Sequence, residues 1–522
     1  MYCFSSHEII QNNSIYAILF FSIPKGMITF RNKIFYMRLL PSLIISVFLF
    51  SCGHKNDEKQ ELPCSDAFSL INEEVLKHSE AYQNLQQATA TIGHRLTGTE
   101  NGNKAEEFVF SLFKKYGFSE VQYLPFEANS WLRLSVKTSI NGEEIKTVSL
   151  AHTPVKADTT AQVIDLGSGL QSDFSKFSEN IKGKIVLMNI NTLFSDSSSM
   201  NLHRSEKTEL AIKYGAAGVL FINGVPGEVL LTGTASVTGE LIDIPAVCMS
   251  LESGNKLRER MAKGEKIQAR IEMNNYSNKI MARNVVATWP GTEKSNEVII
   301  IGGHLDSWDL ATGAIDNGIG SFSIIDIART FSALRLTTKR TIKFVLFMGE
   351  EEGLLGSKAL VKKAKELGGI STIKYMLNLD MTGNANGFNL YGRDEMMSYT
   401  DSICNIIKMI DSTFASNNSS SAGLHSDHQP FMLEGIPVLA PNSNMNKEVY
   451  NCYHSSCDHF ELVNENDMTN NVRFVSMFLF ALANTNTIPA KHFSENETQN
   501  FLIKHQLKEK LLLGKEWKWA VE

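Results

Sequence analysis

Residues 298–352 read VIIIGGHLDSWDLATGAIDNGIGSFSIIDIARTFSALRLTTKRTIKFVLFMGEEE, and their pattern is strand, loop, helix, strand. Val298-Ile299-Ile300-Ile301 is apolar and β-branched throughout, as a strand buried on both faces requires, and Gly302-Gly303 ends it. Ile319, Phe322, Ile325, Phe331 and Leu334 fall at near-helical spacing, with Asp316 or Asn317 at the start of that helix. Thr341 to Met348 is a second buried-strand pattern, running into Glu350-Glu351-Glu352. In an open α/β sheet, ligands bind beyond the carboxyl ends of the strands. His304, Asp306, Glu350 and Glu351 stand at such ends and Asp316 in the loop between. Further along, Tyr375 to Leu379 leads to Asp380, and Tyr453-His454-Ser455-Ser456-Cys457-Asp458 supplies another histidine. Two histidines with several carboxylates and no required thiolate suit two zinc ions that share a bridging carboxylate and keep a position open for water.

GHLDSWD, AIDNGIGS, GEEEGLLGS, NLDM and YHSSCD, in that order, resemble the M28 zinc peptidases, and HLDSWD is similar to the branch containing plasma glutamate carboxypeptidase (carboxypeptidase Q). The resemblance covers about Ile92 to Asn484. It implies an α/β zinc exopeptidase fold: a mixed central sheet flanked by helices, with an inserted, mostly-β protease-associated domain. It implies that Asp316 bridges two Zn2+ ions, that His304 and Asp380 complete one set of ligands, and that Glu351 and His454 complete the other. Glu350 is then the general base, and Gly349 and Gly353 allow the turn that separates it from Glu351. Asp306 is expected behind the ligands, its carboxylate holding the second ring nitrogen of His304. Asp427 and Asp458 are weaker candidates for that supporting role. His425 or His428 is a candidate for stabilising the oxyanion. Asn317 stands where the branch often has a second aspartate, a change of local charge that removes no ligand.

The composition fits a globular chain of two or three domains: 522 residues, 43% hydrophobic, 20% charged. A net charge of −6 without a basic tract gives no reason to expect nucleic acid as a partner. Residues 1–52 are set apart as an export region. Arg31, Lys33 and Arg38 precede the short apolar run Leu39 to Phe50, too short to span a membrane, and the leader before Met27 or Met37 is read as a start-site overcall. Leu49-Phe50-Ser51-Cys52 resembles a bacterial lipobox, which implies a lipid anchor at Cys52 and an exported lipoprotein of the cell envelope. Residues 53–65 form a charged tether. Of seven cysteines, Cys3 and Cys52 belong to that region and the other five are scattered. Cys452 and Cys457 flank His454, and neither a bridge between them nor a thiolate ligand is favoured, because the histidine and carboxylate set is already complete.

The peptidase domain is expected at 66–149 and 282–490, the insert at 150–281, and a charged helical tail of no evident function at 491–522. Asp66 to Ala90 is expected as one helix and Asn103 to Tyr116 as the next. Within the insert, Gly183 to Met188 and Gly215 to Phe221 read as strands, with a helix at Lys207 to Tyr214. It shows no concentration of metal ligands, so it is a lid, a spacer, or a wall limiting substrate length. His94 is read as an ordinary loop histidine. Ser426-Asp427-His428 is not a catalytic triad, since three consecutive residues cannot converge as one and no GxSxG elbow is present. The expected activity is that of a dizinc aminopeptidase or dipeptidase acting on short peptides with a free N-terminus. The alternatives are a glutaminyl cyclase-like enzyme with a single zinc and a non-enzymatic binding module on the same fold. The sequence sets no oligomeric state, and a homodimer is compatible with it.

Overall fold

The computed structural model describes residues 64–193 and 201–520. The lipobox at Cys52, the leader before it and most of the tether lie outside the described residues. No helix among the described residues is long and apolar enough to cross a membrane.

Among the described residues, thirteen strands form one connected sheet: β1 (Val121–Ile140), β2 (Glu143–Ile145), β3 (Thr147–Ser149), β4 (Lys156–Asp165), β5 (Ile185–Asn189), β6 (Gly218–Ile222), β7 (Ala246–Met249), β8 (Gln268–Trp289), β9 (Lys294–His304), β10 (Arg340–Phe347), β11 (Ile373–Asn378), β12 (Ala385–Asn389) and β13 (Val438–Ser443). The peptidase part has the order β12-β13-β11-β9-β10-β8. Its central strands β13, β11, β9 and β10 are parallel, while β12 and β8 run antiparallel to them. Ile299, Ile300 and Ile301 are buried, as are Phe344, Val345 and Leu346 beside them, because helices cover both faces of the sheet. The helices Ile319–Ala333 and Glu465–Asn484 pack together in the core on one side and are buried along almost their whole length. At Gly303 a Cβ would lie 2.3 Å from Leu379 O, so only glycine lets the ends of β9 and β11 come close enough to bring His304 to Asp380.

The insert carries its own parallel sheet, β4-β5-β6-β7, with β3 antiparallel on its edge and short helices around it. It is joined to the peptidase sheet by a long two-stranded ribbon. β1 pairs with β8 from Val121↔Ala287 to Ile140↔Ala269. The other edge of β8 is shared: Val285 to Trp289 pair with β10, and Gln268 to Asn274 with β4. The boundary expected at 281 therefore falls inside a continuous strand. Alternating side chains mark a strand in the sequence, but nothing in them shows where one edge changes partners.

The expected single helix at Asp66–Ala90 is two, Cys64–His78 and Ala81–Thr91. At the break, Ser79 Oγ and Glu80 N both donate to the buried carboxylate of Asp326, at 2.8 and 3.1 Å. A tertiary acceptor thus replaces the helical hydrogen bonds that would have carried the chain straight on.

Candidate metal centre

The expected ligands converge beyond the carboxyl ends of β9, β10 and β11. His304 is the last residue of β9. Its Nε2 lies 3.2 Å from Asp316 Oδ1 and 3.4 Å from Asp380 Oδ1. His454 Nε2 lies 3.0 Å from Asp316 Oδ2 and 2.9 Å from Glu351 Oε2. The two oxygens of Asp316 thus face two different sets, His304 with Asp380 and His454 with Glu351. Donor atoms of His304, Asp316 and Glu351 also lie within 4.8 Å of one another, as expected if the two sets adjoin through Asp316.

Each ring nitrogen faces two carboxylate oxygens, more acceptors than one N–H can serve. Asp316 Oδ2 and Glu351 Oε1 are buried without an aligned hydrogen-bond donor among the described residues. Burial opposes charge on both histidines, yet the surrounding carboxylates, Glu350 and Asp380 for His304 and Glu351 for His454, raise their pKa values. Burial also opposes charge on Asp316, but the two histidines hold it well below the usual carboxylate range. Glu350 is raised well above that range by burial, with Asp380 and Glu351 adding to the effect. This nitrogen and oxygen donor set, short of positive charge and with orphaned oxygens pointing inward, fits divalent cations.

The backbone around the ligands is tied down by buried polar groups. Asp458 accepts from Ile315 N at 2.7 Å and Asp316 N at 3.0 Å, fixing the turn that presents the shared carboxylate. Burial pushes its own carboxyl to about 7. Ser426 Oγ donates to Asp380 Oδ2 at 2.6 Å and accepts from Asn378 Nδ2 at 2.6 Å, so this serine positions an expected ligand. Asn317 is fully buried. It donates to Leu379 O at 2.8 Å and accepts from Gly320 N and Met381 N at 3.2 and 3.0 Å. It cross-braces the β9 and β11 ends, and its amide rather than its lack of charge is what the site uses. Gly349 and Gly353, at φ 74° and 119°, make the turn that separates Glu350 from Glu351.

The expectation for Asp306 needs correction. The second ring nitrogen of His304 meets the backbone carbonyl of Asp306, at 3.0 Å, while the carboxylate lies 3.7 Å away. That carboxylate instead accepts from Glu350 N and Glu351 N, both at 3.3 Å, and so shapes the turn carrying the expected base and ligand. Behind the other histidine, His454 Nδ1 faces Thr232 O of the insert at 3.3 Å, and Thr232 N donates to His454 O at 2.9 Å. Arg95, also unforeseen, is fully buried. It donates to Leu305 O, Thr312 O and Gly313 O at 2.5, 2.7 and 2.8 Å, pinning the loop between His304 and Asp316.

Asp427 is buried, its carboxyl pushed to about 7, and it forms no ion pair with a ligand among the described residues. His428 packs on Tyr391 with Nε2 on Gly423 O, away from the cavity, whereas His425 lines it. His94, kept out of the site on sequence grounds, does not line the cavity. Cys452 and Cys457 form a disulfide around His454, which corrects the reading that favoured no bridge.

The cavity over the ligands measures about 300 Å3. Glu350 lines it beside both ligand sets. Its walls also include His203, Arg204, Glu206 and Ser236 of the insert, and Lys510 and Glu516 of the tail. Arg204 is 5% exposed and has no carboxylate partner among the described residues. The tail is two helices, Glu495–Lys504 and Lys508–Leu513, and the second of them packs on the insert.

Residues 284–479 match the sequence profile of Peptidase family M28, and residues 150–257 that of the PA domain. Carboxypeptidase Q of Xenopus laevis is 24% identical over 385 residues, which cover 72% of this chain and 80% of that protein. A probable leucine aminopeptidase 2 of Arthroderma benhamiae is 28% identical over 335 residues, 64% of this chain and 62% of that protein. Among solved structures, a Peptidase M28 precursor from Shewanella amazonensis superposes with a TM-score of 0.70 at 20% identity, covering 83% of this chain and 99% of that one.

Proposed function

We propose that this chain, a metallopeptidase of the M28 family with an inserted PA domain, is a dizinc exopeptidase that removes the N-terminal residue of short peptides. The observation that carries the reading is Asp316, whose two oxygens face two separate histidine–carboxylate sets. His304 and Asp380 would hold one zinc ion, His454 and Glu351 the other, and Asp316 both. Bound zinc supplies Lewis-acid polarisation of the scissile carbonyl and lowers the pKa of water. The rest falls to the protein. Glu350 lines the cavity beside both sets, where its carboxylate takes the proton of the attacking water and returns it to the leaving amine. The tight volume and the walls of insert and tail favour short substrates. The names of the two relatives, a carboxypeptidase and an aminopeptidase, agree with cleavage at a chain end.

The test is turnover of free dipeptides against their N-acetylated forms, with zinc content measured on the same preparation. Expected are two zinc ions per chain, chelator-sensitive cleavage of the free forms alone, and loss of about a hundredfold or more in kcat for Glu350→Gln with zinc retained. Equal cleavage of acetylated peptides overturns recognition of the amine. A single zinc at full activity overturns the shared role of Asp316.

A further inference from the structure

The C-terminal segment has no place in the family profile, which ends at residue 479, yet it lines the cavity. Three charged contacts and one apolar side chain hold it there. Glu516 pairs with Lys358 at 2.5 Å and accepts from Gln429 Nε2 at 2.5 Å, so it is anchored to the peptidase domain. Lys515 pairs with Glu209, at 2.9 Å, on the insert helix Arg204–Lys213. Lys518 pairs with Glu434 at 3.0 Å. Leu511 is 1% exposed and packs into the core. Among the lysines of this region that line the cavity or dock the tail, Lys510 differs. It lines the cavity, and no carboxylate of the described residues stands within ion-pair distance of it. It is close enough to the half-buried His203 for its charge to add to the depression of that imidazole, behind burial, Arg204, His425 and His454. Arg204, the other cation of this wall, lies flat against Gly233, where an added Cβ would sit 2.2 Å from its guanidinium carbon. Lys510 has a flexible stem and can reach toward a ligand.

The wall built by insert and tail is of mixed charge: Arg204 and Lys510 stand with Glu206 and Glu516. Glu516 is paired with Lys358 and Glu206 lies 3.4 Å from His425, which leaves Lys510 facing the cavity without a carboxylate among the described residues. A free dipeptide carries a carboxylate at its C-terminus and spans about 7 Å when extended. We propose that Lys510 receives the terminal carboxylate of a dipeptide and that the segment from Lys508 to Glu516 limits substrate length, an inference that rests on the exopeptidase reading above. A longer peptide would put a neutral amide opposite Lys510 and drive its next residue into the docked segment.

The experiment compares a free dipeptide, its C-terminal amide and the matching tripeptide on the zinc-loaded full chain and on Lys510→Met and Lys510→Arg. The wild-type chain is expected to prefer the free acid to the amide by about tenfold or more, the worth of a charged hydrogen bond. Lys510→Met should erase most of that preference, chiefly through KM, with a loss on the acid at least about tenfold larger than any loss on the amide. Lys510→Arg should restore much of it, and zinc content and Tm should match wild type in both variants. Equal turnover of acid and amide by the wild type, or an equal loss on both in Lys510→Met, overturns the proposal. In the first case, continued rejection of N-acetyl dipeptides leaves the exopeptidase reading standing. No cleavage of any free dipeptide removes both.

Discussion

Removing the Ser426 hydroxyl separates positioning from chemistry in a single substitution. Ser426 is 7% exposed, and its Oγ links Asn378 Nδ2 to Asp380 Oδ2 with two 2.6 Å hydrogen bonds. Ser426→Ala removes a hydrogen bond to a charged acceptor, worth about 1.5–3 kcal/mol, and leaves a buried amide donor unpaired at about 1–3 kcal/mol. Asn378 is 1% exposed and its Oδ1 already lacks a partner, so that second cost is not relieved by water. The Asp380 side chain is 22% exposed and can be rehydrated, which brings the expected loss to about 2–3 kcal/mol in the zinc-free protein. Freed from Ser426, the Asp380 carboxylate also loses its fixed orientation, and zinc affinity should fall about tenfold or more. The assays are chemical denaturation of the chelated protein, zinc competition against a chromogenic chelator, and dipeptide turnover at saturating zinc. Turnover should fall by less than about tenfold, whereas loss of a nucleophilic serine costs on the order of a millionfold. Unchanged stability and zinc affinity would refute the positioning argument. A collapse of turnover with normal zinc binding would mean that Ser426 takes part in bond making.

Two further outcomes follow from buried groups. Asn317→Asp removes the donor to Leu379 O and adds an unpaired charge beside the ligands, so the variant should lose about 3 kcal/mol or more, read as a lower urea midpoint; an unchanged midpoint would sink the cross-brace reading. His152 is fully buried on Thr234 Oγ1, and burial pushes its pKa from the ordinary 6.5 to about 4. Between those values the unfolded chain binds the proton and the folded one does not, so its contribution is complete above 6.5 and is lost as pH falls toward 4. The loss is about 3 kcal/mol. His152→Gln should therefore lose less unfolding free energy than wild type between pH 7 and 4.5, and equal losses would contradict the assignment.

What can be read in the sequence depends on how each residue acts. His304, Glu351 and Asp380 are recognisable as candidate ligands because a metal would need such side chains and the sheet puts them at strand ends that apolar runs announce, with Asp316 in the turn that follows β9. Asp306 is legible as a neighbour of the ligands but not by the atoms it uses. A residue two beyond a ligating histidine offers both a carbonyl and a carboxylate, and only the path of the backbone decides which one meets the ring. Thr232 leaves no trace in the sequence, because it supports His454 with a backbone oxygen that any residue would provide. Cys452 and Cys457 are close enough to pair, but spacing alone does not choose between a bridge and two thiols. Arg95 sits in a stretch similar to a family segment, yet its role depends on carbonyls more than two hundred residues away in the chain.

The same division explains why the insert and the tail look inert in the sequence. By metal ligands the insert is empty, and by charge the tail is an ordinary solvated helix. Both properties concern what a segment carries rather than what it touches. The β1/β8 ribbon joins the two sheets along one continuous strand, so a shift of the insert is carried straight to the flank of β10, whose end leads into Glu350 and Glu351. The insert also holds the back of the His454 ring, and its helix Arg204–Lys213 is tied through Glu209 to the tail that lines the cavity. On the proposed reading, affinity for metal and selection of substrate would therefore be mechanically linked in this chain. A change that moves the insert, such as a side chain at Gly233 pressing on Arg204, would disturb the cavity wall and the His454 support together, because Thr232 precedes Gly233 on the same short stretch of backbone.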